Sequence, residues 1–402
     1  MTTPLAKLAA APPRSIAYEC FAIATPGLEP FVARELSAIG VRAPKSIAGG
    51  VEFTADQALL AETQLRLRVA SRVLVRLSTF RATAFHELER AARKVEWGRV
   101  LRTGQTFRLR VTCRKSKLYH SDAVAERVVG AIIRAVPGAV STDGGEEPDD
   151  GIESPVDDVQ LFVVRLDRDR CTISADASGP LLHRRGYRLA VARAPLRETL
   201  AAAMLLGAEY DPSRPMMDPM CGSGTIAIEA AMLARRIAPG LHRGFAAERW
   251  PETDPAVWTT ARRAAESEVL PKAPAPIIGA DRDAGAIEAA RANAARAGVA
   301  DDIEFRCAPI SALEVPSGPG LLIANPPYGV RVGETDALRD LFARLGQVAR
   351  ERCDGWQVAL LSAERSLEAQ TKLDFADRFS TSNGGISVQL VVATARQVAS
   401  RL

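Results

Sequence analysis

From Pro195 onward, short apolar runs alternate with stretches of helical periodicity. That alternation admits few folds. A strand running parallel to its predecessor needs a crossover, which a helix supplies, so repeated strand–helix units predict a doubly wound parallel sheet. Pro215-Met216-Met217-Asp218 reads as its first strand, followed by the turn Pro219-Met220-Cys221-Gly222-Ser223-Gly224-Thr225 and a helix over Ile226 to Arg235. Ile277-Ile278-Gly279-Ala280 is the next strand and ends at Asp281; the helix from Ala284 to Ala297 stops at Gly298, a residue suited to the left-handed position after a helix. Ile303 to Cys307 is a third strand, and Leu321-Leu322-Ile323-Ala324, apolar throughout, a fourth. Gly224 and Asp281 stand 57 residues apart, against about 20 in a minimal unit. Residues 237–276 are therefore read as an insertion broken by Pro239-Gly240 and Pro251.

The N-terminal half has a different rhythm. Strand-like runs at Ile16 to Ile23, Gly49 to Thr54 and Arg72 to Phe80 alternate with helical runs at Leu28 to Ile39, stopping at Gly40, and Ala55 to Leu67. This order fits a small α+β unit of ferredoxin-like type over residues 16–80. A second unit over residues 81–177 has a helix at Ala84 to Lys94, a strand at Thr106 to Cys113, and a helix at Asp122 to Val136 with Ser121 as its cap. It closes with a loop at Pro148 to Ser154 and a hairpin, Val159 to Leu166 with Arg170 to Asp176. Residues 1–15 read as a disordered lead and 178–195 as a linker, leaving 196–402 for the doubly wound domain.

Length agrees: 402 residues exceed one ordinary core. No apolar run approaches the roughly 20 residues that span a bilayer, and no apolar segment of a signal peptide follows the first residues. A cytoplasmic protein without membrane attachment is expected. The six cysteines form no C-x-x-C pair and the four histidines are isolated, so reduced thiols and no metal site are expected. Net charge is only +4, but Arg66 to Arg127 holds sixteen basic residues against five acids, and Asp143 to Asp158 holds eight acids and no base. The basic stretch predicts a polyanion partner.

Two strand ends carry chemistry. The Gly-x-Gly turn after Asp218 opens a helix, the geometry that turns backbone amides toward a ligand. A dinucleotide fingerprint would add a third glycine where Ile226 and Ala227 stand. Asp281, ending the second strand, is placed for the ribose hydroxyls of a nucleoside-bearing cofactor. Two carboxylates suit a sulfonium and repel a pyrophosphate, which favours S-adenosylmethionine. The fourth strand ends in Asn325-Pro326-Pro327-Tyr328. The Asn325 side-chain oxygen and the Pro326 carbonyl can accept from the two N–H groups of an exocyclic amine, and the Tyr328 ring offers a stacking face. This set suits methylation of a nucleobase amine.

Together, Asp218 to Ala231, Ile237-Ala238-Pro239-Gly240-Leu241, Arg243-Gly244-Phe245, Trp250, Arg185-Gly186-Tyr187-Arg188, Ala194 to Ala201, Asn325 to Gly329 and Asn383-Gly384 resemble THUMP-domain RNA methyltransferases. The resemblance spans nearly the whole chain and is strongest to bacterial 23S rRNA guanine-N2 methyltransferases. It covers their first methyltransferase unit; the second unit of long members has no counterpart in this sequence. It implies a Rossmann-like catalytic domain with N-terminal ferredoxin-like and THUMP domains that bind RNA, rRNA before tRNA. It also implies a cofactor site of Thr199, Asp218, Pro219, Met220, Cys221, Gly222, Ser223, Gly224, Thr225, Asp281, Arg282, the Ala308 position and Asn325. Arg114, Lys115, Lys117, Tyr119 and His120 would face RNA. Where the family usually has an acid for the adenine amine, this chain has Ala308-Pro309, so backbone groups or another residue are expected there. Val330 replaces a common Glu.

The tetrad accepts from any amine, so tRNA guanine-N2 and adenine-N6 methylation stay open. From another class, Ala308 supports an RNA-binding or assembly factor without catalysis, against which stand the intact tetrad and glycine loop. The missing third glycine disfavours a nucleotide-dependent oxidoreductase.

Overall fold

The computed structural model describes residues 17–142, 158–188, 196–328 and 335–396. The expected disordered lead, nearly all of the acidic stretch, the linker's second half (with Ala194 and Pro195), Gly329 and Val330 lie outside these residues.

Two sheets organise the chain. The first has eight strands: β1 (Tyr18–Ile23), β2 (Lys45–Ile47), β3 (Gly50–Ala55), β4 (Arg72–Arg81), β5 (Thr106–Arg114), β6 (Val140–Ser141), β7 (Gln160–Asp167) and β8 (Arg170–Asp176). Their order is β2-β3-β1-β4-β8-β7-β5-β6. The two N-terminal units thus share one sheet, joined where β4 pairs antiparallel with β8. Buried Arg72 reinforces the seam with its ion pair to Asp176. The expected hairpin is β7–β8, turned by Arg168 and Asp169 at φ 51° and 63°. One local reading changes. Ser121 is the first residue of helix Ser121–Ala135 and its side chain caps nothing; the cap position falls on His120.

The second sheet has β9 (Met216–Asp218), β10 (Ile277–Asp281), β11 (Ile303–Cys307), β12 (Leu321–Ala324), β13 (Gln357–Ser362), β14 (Ala376–Asn383) and β15 (Ile386–Thr394), in the order β11-β10-β9-β12-β13-β15-β14. Strands β9 to β13 are parallel, and β14 and β15 add an antiparallel hairpin at one edge. Helices cover the sheet, so its central strands are buried on both faces, as their apolar runs require.

Residues 237–276 dock the two sheets together. Helix Pro255–Ser267 packs on helix Gln57–Arg66. Gly240 N–H donates to Leu65 O at 2.9 Å, where a Cβ would stand 2.8 Å from Gln64 O. Trp250 Nε1 donates to Gln160 Oε1 at 2.8 Å, and Arg99 pairs with Glu252 at 2.6 Å.

Candidate active site

Growth of the second sheet reverses at β9: β10 and β11 lie to one side, β12 and β13 to the other. Strand β12 pairs directly with β9 in parallel, Leu321 with Met216 and Leu322 with Met217. In open α/β sheets ligands bind beyond the carboxyl ends of strands at such a reversal. The glycine loop leaves β9 there, the Asn325 tetrad leaves β12, and Asp281 ends β10.

The glycine loop is rigid for identifiable reasons. Gly222 and Gly224 hold φ of 52° and 86°. A Cβ on Gly224 would lie 3.0 Å from Ala290 Cβ and 3.3 Å from the Phe305 ring, so only glycine fits both backbone and packing. Buried Asn293 donates from Nδ2 to Ser223 O at 3.0 Å.

The acids turn their carboxylates onto backbone. Met220 N–H donates to Asp218 Oδ1 at 3.2 Å, and Asp283 N–H and Gly222 N–H donate to the two oxygens of Asp281 at 3.0 Å each. Cys221 N–H donates to Ala280 O at 2.8 Å, Gly224 N–H to Cys221 O at 2.8 Å, and Ala308 N–H to Asp281 O at 2.9 Å. These amides therefore bind the ends of β9, β10 and β11 to one another, where the sequence reading turned loop amides toward a ligand. Buried amides require partners, and here the neighbouring strand ends supply them. Arg282 is exposed, its carbonyl accepting from the Cys307 thiol at 3.8 Å.

Asp218 is sealed from solvent. Burial pushes its carboxyl up to about 8 against the pull of the Met220 N–H, with Asp281 adding a further upward push. A cationic group beside it would favour the carboxylate, and an anionic one would oppose it. The pair of acids thus fits a sulfonium cofactor better than a dinucleotide.

In the tetrad, Asn325 and Tyr328 are half-buried, Pro326 is buried and Pro327 exposed. The Tyr328 hydroxyl donates to Asn325 Oδ1 and accepts from Asn383 Nδ2 at 3.1 Å. Burial pushes this phenol up to about 12, with Asn383 pulling it down. The oxygen expected to receive a substrate amine already takes one hydrogen bond, and a carboxamide oxygen can take a second.

Behind the loop lies a buried polar network. Arg188 pairs with Glu198 at 3.2 Å and donates to Thr225 Oγ1 at 2.9 Å, linking the first turn of helix Glu198–Gly207, which holds Thr199, to that of helix Thr225–Ala234. Glu229 accepts from Tyr187 at 3.1 Å and pairs with Arg185 at 3.4 Å and with Arg68 of the N-terminal half at 3.8 Å. As site residues Asn293 and Asn383 were not legible in the sequence, and the motif members Arg185, Tyr187 and Arg188 and the loop residue Thr225 did not reveal their partners.

The predicted RNA-facing residues cluster at the far end of the first sheet. Arg114, Lys115, Lys117, Tyr119 and His120 are all exposed, and the Tyr119 and His120 rings lie 4.0 Å apart. The β7–β8 turn holds their loop: Lys117 N–H donates to Asp169 Oδ1 at 2.7 Å and Asp169 N–H to Ser116 Oγ at 3.0 Å. Lys115 sits at φ 49°. Among the described residues no three His, Cys, Asp or Glu side chains could hold a metal ion, and no helix is long and apolar enough to cross a membrane.

Known proteins match the chain across both sheets. Residues 185–391 match the RMKL-like methyltransferase domain, residues 19–74 the RlmL ferredoxin-like domain and residues 82–176 the THUMP domain. A Synechocystis sp. protein named "Putative RNA methyltransferase slr0064" is 34% identical over 375 residues, 92% of this chain and 95% of that one. A crystal structure from Listeria monocytogenes, described as a "predicted N6-adenine-specific DNA methylase", superposes with a TM-score of 0.83 at 32% identity, covering 95% of this chain and 97% of that one. SMU.472, solved with SAH, gives a TM-score of 0.83 at 29% identity, covering 95% and 99%.

Proposed function

The chain belongs to the family of RMKL-like methyltransferases, and we propose that it methylates the exocyclic N2 of a guanine in 23S rRNA with S-adenosylmethionine. The observation that carries this reading is the pairing of β9 with β12, which sets the glycine loop and the Asn325 tetrad side by side. The THUMP match over residues 82–176, the exposed basic loop and the name of the Synechocystis relative support RNA. The SAH held by SMU.472 supports the cofactor.

The cofactor supplies an electrophilic methyl on a sulfonium. The guanine amine attacks that carbon, the C–S bond breaks with its electron pair left on sulfur, and the new ammonium loses a proton to water. The amine lone pair is delocalised into the ring. Acceptors at Asn325 Oδ1 and the Pro326 carbonyl take its two N–H groups and favour a pyramidal nitrogen. Tyr328 stacks on the extruded base, and most of the acceleration comes from orientation. From its buried position Asp218 would favour the cofactor's positive charge and Asp281 would hold the ribose, with Thr199, Pro219, Met220 to Thr225, Arg282 and Ala308 completing the pocket. Arg114, Lys115, Lys117, Tyr119 and His120 bind backbone and bases of the RNA.

Nucleoside mass spectrometry of rRNA and tRNA from a deletion strain, before and after treatment with protein and S-adenosylmethionine, tests this. N2-methylguanosine missing from 23S rRNA and restored by the protein is the expected result. Restoration in tRNA would move the substrate, N6-methyladenosine would replace the base, and no restored methylation would overturn the enzymatic reading.

A further inference from the structure

Asn383 ends β14, and Gly384 and Gly385, at φ 56° and 84°, turn the chain into β15. A Cβ on either glycine would meet nothing within 4 Å. The glycines therefore serve the two-residue hairpin turn, which needs positive φ at both positions, and the turn aims Asn383 at the tetrad 55 residues earlier in the chain. The hairpin is braced from behind. Phe379 of β14 packs edge-to-face on Phe31 at 5.3 Å, and a Cβ on Gly27 would collide with the Ser380 carbonyl.

We propose that Asn383 is a positioning residue for methyl transfer, setting through the Tyr328 hydroxyl which end of the Asn325 carboxamide faces the substrate amine. This rests on the tetrad's role given above. A phenol has one hydrogen to donate. Because Asn383 Nδ2 donates to the Tyr328 oxygen, the Tyr328 hydrogen is free for Asn325, which must answer with its oxygen. A carboxamide turned end for end would offer N–H to N–H and repel the amine. The high Tyr328 pKa, about 12, keeps that hydrogen in place across the working range, and donation into the hydroxyl strengthens the bond it makes onward.

The test is methyl incorporation into rRNA from the deletion strain, with kcat and KM measured for the full-length wild type, Asn383→Ala, Asn383→Asp, Tyr328→Phe and the Asn383→Ala/Tyr328→Phe double variant. Asn383→Ala is expected to lower kcat about 10- to 100-fold, the range for misplacing a reacting geometry, with KM for S-adenosylmethionine and RNA within about threefold of wild type. The double variant should be no slower than Tyr328→Phe alone, because Asn383 acts only through that hydroxyl. Asn383→Asp keeps the shape but cannot donate when ionised. Its kcat relative to wild type should recover as pH falls through the carboxyl's titration, a signature that simple loss of folding would not give. Independent, multiplicative losses in the double variant, or a raised KM for RNA with kcat intact, would overturn the proposal. Incorporation is counted whichever base is methylated, so an adenine product would overturn the guanine assignment and leave this result standing.

Discussion

In the seven-stranded sheet the polar groups of the site stand at strand ends and are paired with one another: Asp281 with Gly222 and Asp283, Asp218 with Met220, Tyr328 with Asn325 and Asn383. At the far end of the eight-stranded sheet, Arg114, Lys115, Lys117 and His120 project into solvent from a loop tied down through Lys117 N–H and the Ser116 hydroxyl. On the proposed roles, the contrast follows from what each surface meets. Methyl transfer needs reacting atoms held in one geometry, so its groups are pre-organised by burial and mutual hydrogen bonds. A polyanion is held by summed charge, which tolerates mobile side chains and requires that they stay hydrated until contact. Changes in the first region should therefore alter rate steeply and singly, and changes in the second should alter affinity gradually and additively.

The sharpest test of that contrast is Asn325→Ala. Removing one pre-organised acceptor should cost about 10²- to 10³-fold in kcat, the scale of a lost transition-state hydrogen bond. The dissociation constant for S-adenosylmethionine, measured by calorimetry, should change little. Retained turnover would show that the tetrad does not hold the amine. Next in size is Glu229→Ala. Glu229 is fully buried between Arg185, Tyr187 and Arg68, and removing one partner of a buried charge network leaves the others uncompensated, at a cost of about 3–5 kcal/mol. A thermal melt should show a clear drop in midpoint. An unchanged midpoint would mean that the two sheets are not held together by this network.

How much of this was legible in the sequence depended on chain distance. The glycine loop, Asp281 and the tetrad each lie within a few residues of a strand end, so the apolar run that predicts the strand also fixes the position of the polar group. The left-handed residue expected after the helix from Ala284 is Gly298, at φ 70°. The partners across the molecule were not legible. Arg72 meets Asp176, Trp250 meets Gln160, Arg185 meets Glu229 and Asn383 meets Tyr328, and no local pattern ties one member to the other. The insertion at 237–276 was legible as extra length, but its role in docking required the partner surface. Ser121 shows a local limit: a Ser before a helix also fits the first helical turn, and the backbone decides which.

Protonation gives a smaller effect that separates the regions again. Asp218, pushed up to about 8 by burial, is largely neutral at pH 6 without ligand. A cationic cofactor favours the ionised form, so binding should expel a proton. Affinity for S-adenosylmethionine should therefore rise with pH from about 6 to about 8, by at most tenfold per unit, and level off above. Asp218→Asn should bind more weakly and lose the slope. Calorimetry in buffers of different ionisation enthalpy reads the proton directly. A flat profile in the wild type would mean that Asp218 serves only the turn onto Met220.

Smallest per residue are the basic side chains of the THUMP loop. Lys115 and Lys117 are exposed, and the loop is fixed through backbone contacts to Asp169, so Lys115→Ala and Lys117→Ala should leave the fold intact. Each should lower RNA affinity a few-fold at low salt and reduce the slope of log affinity against log salt by about 1, with the double variant close to the sum. The loss should be similar for RNAs of different sequence, and kcat at saturating RNA should not change. Filter binding over a salt series measures all three. If either variant lowered kcat as Asn325→Ala does, the loop would be taking part in placing the target base, and the division between a pre-organised site and an additive electrostatic surface would fail.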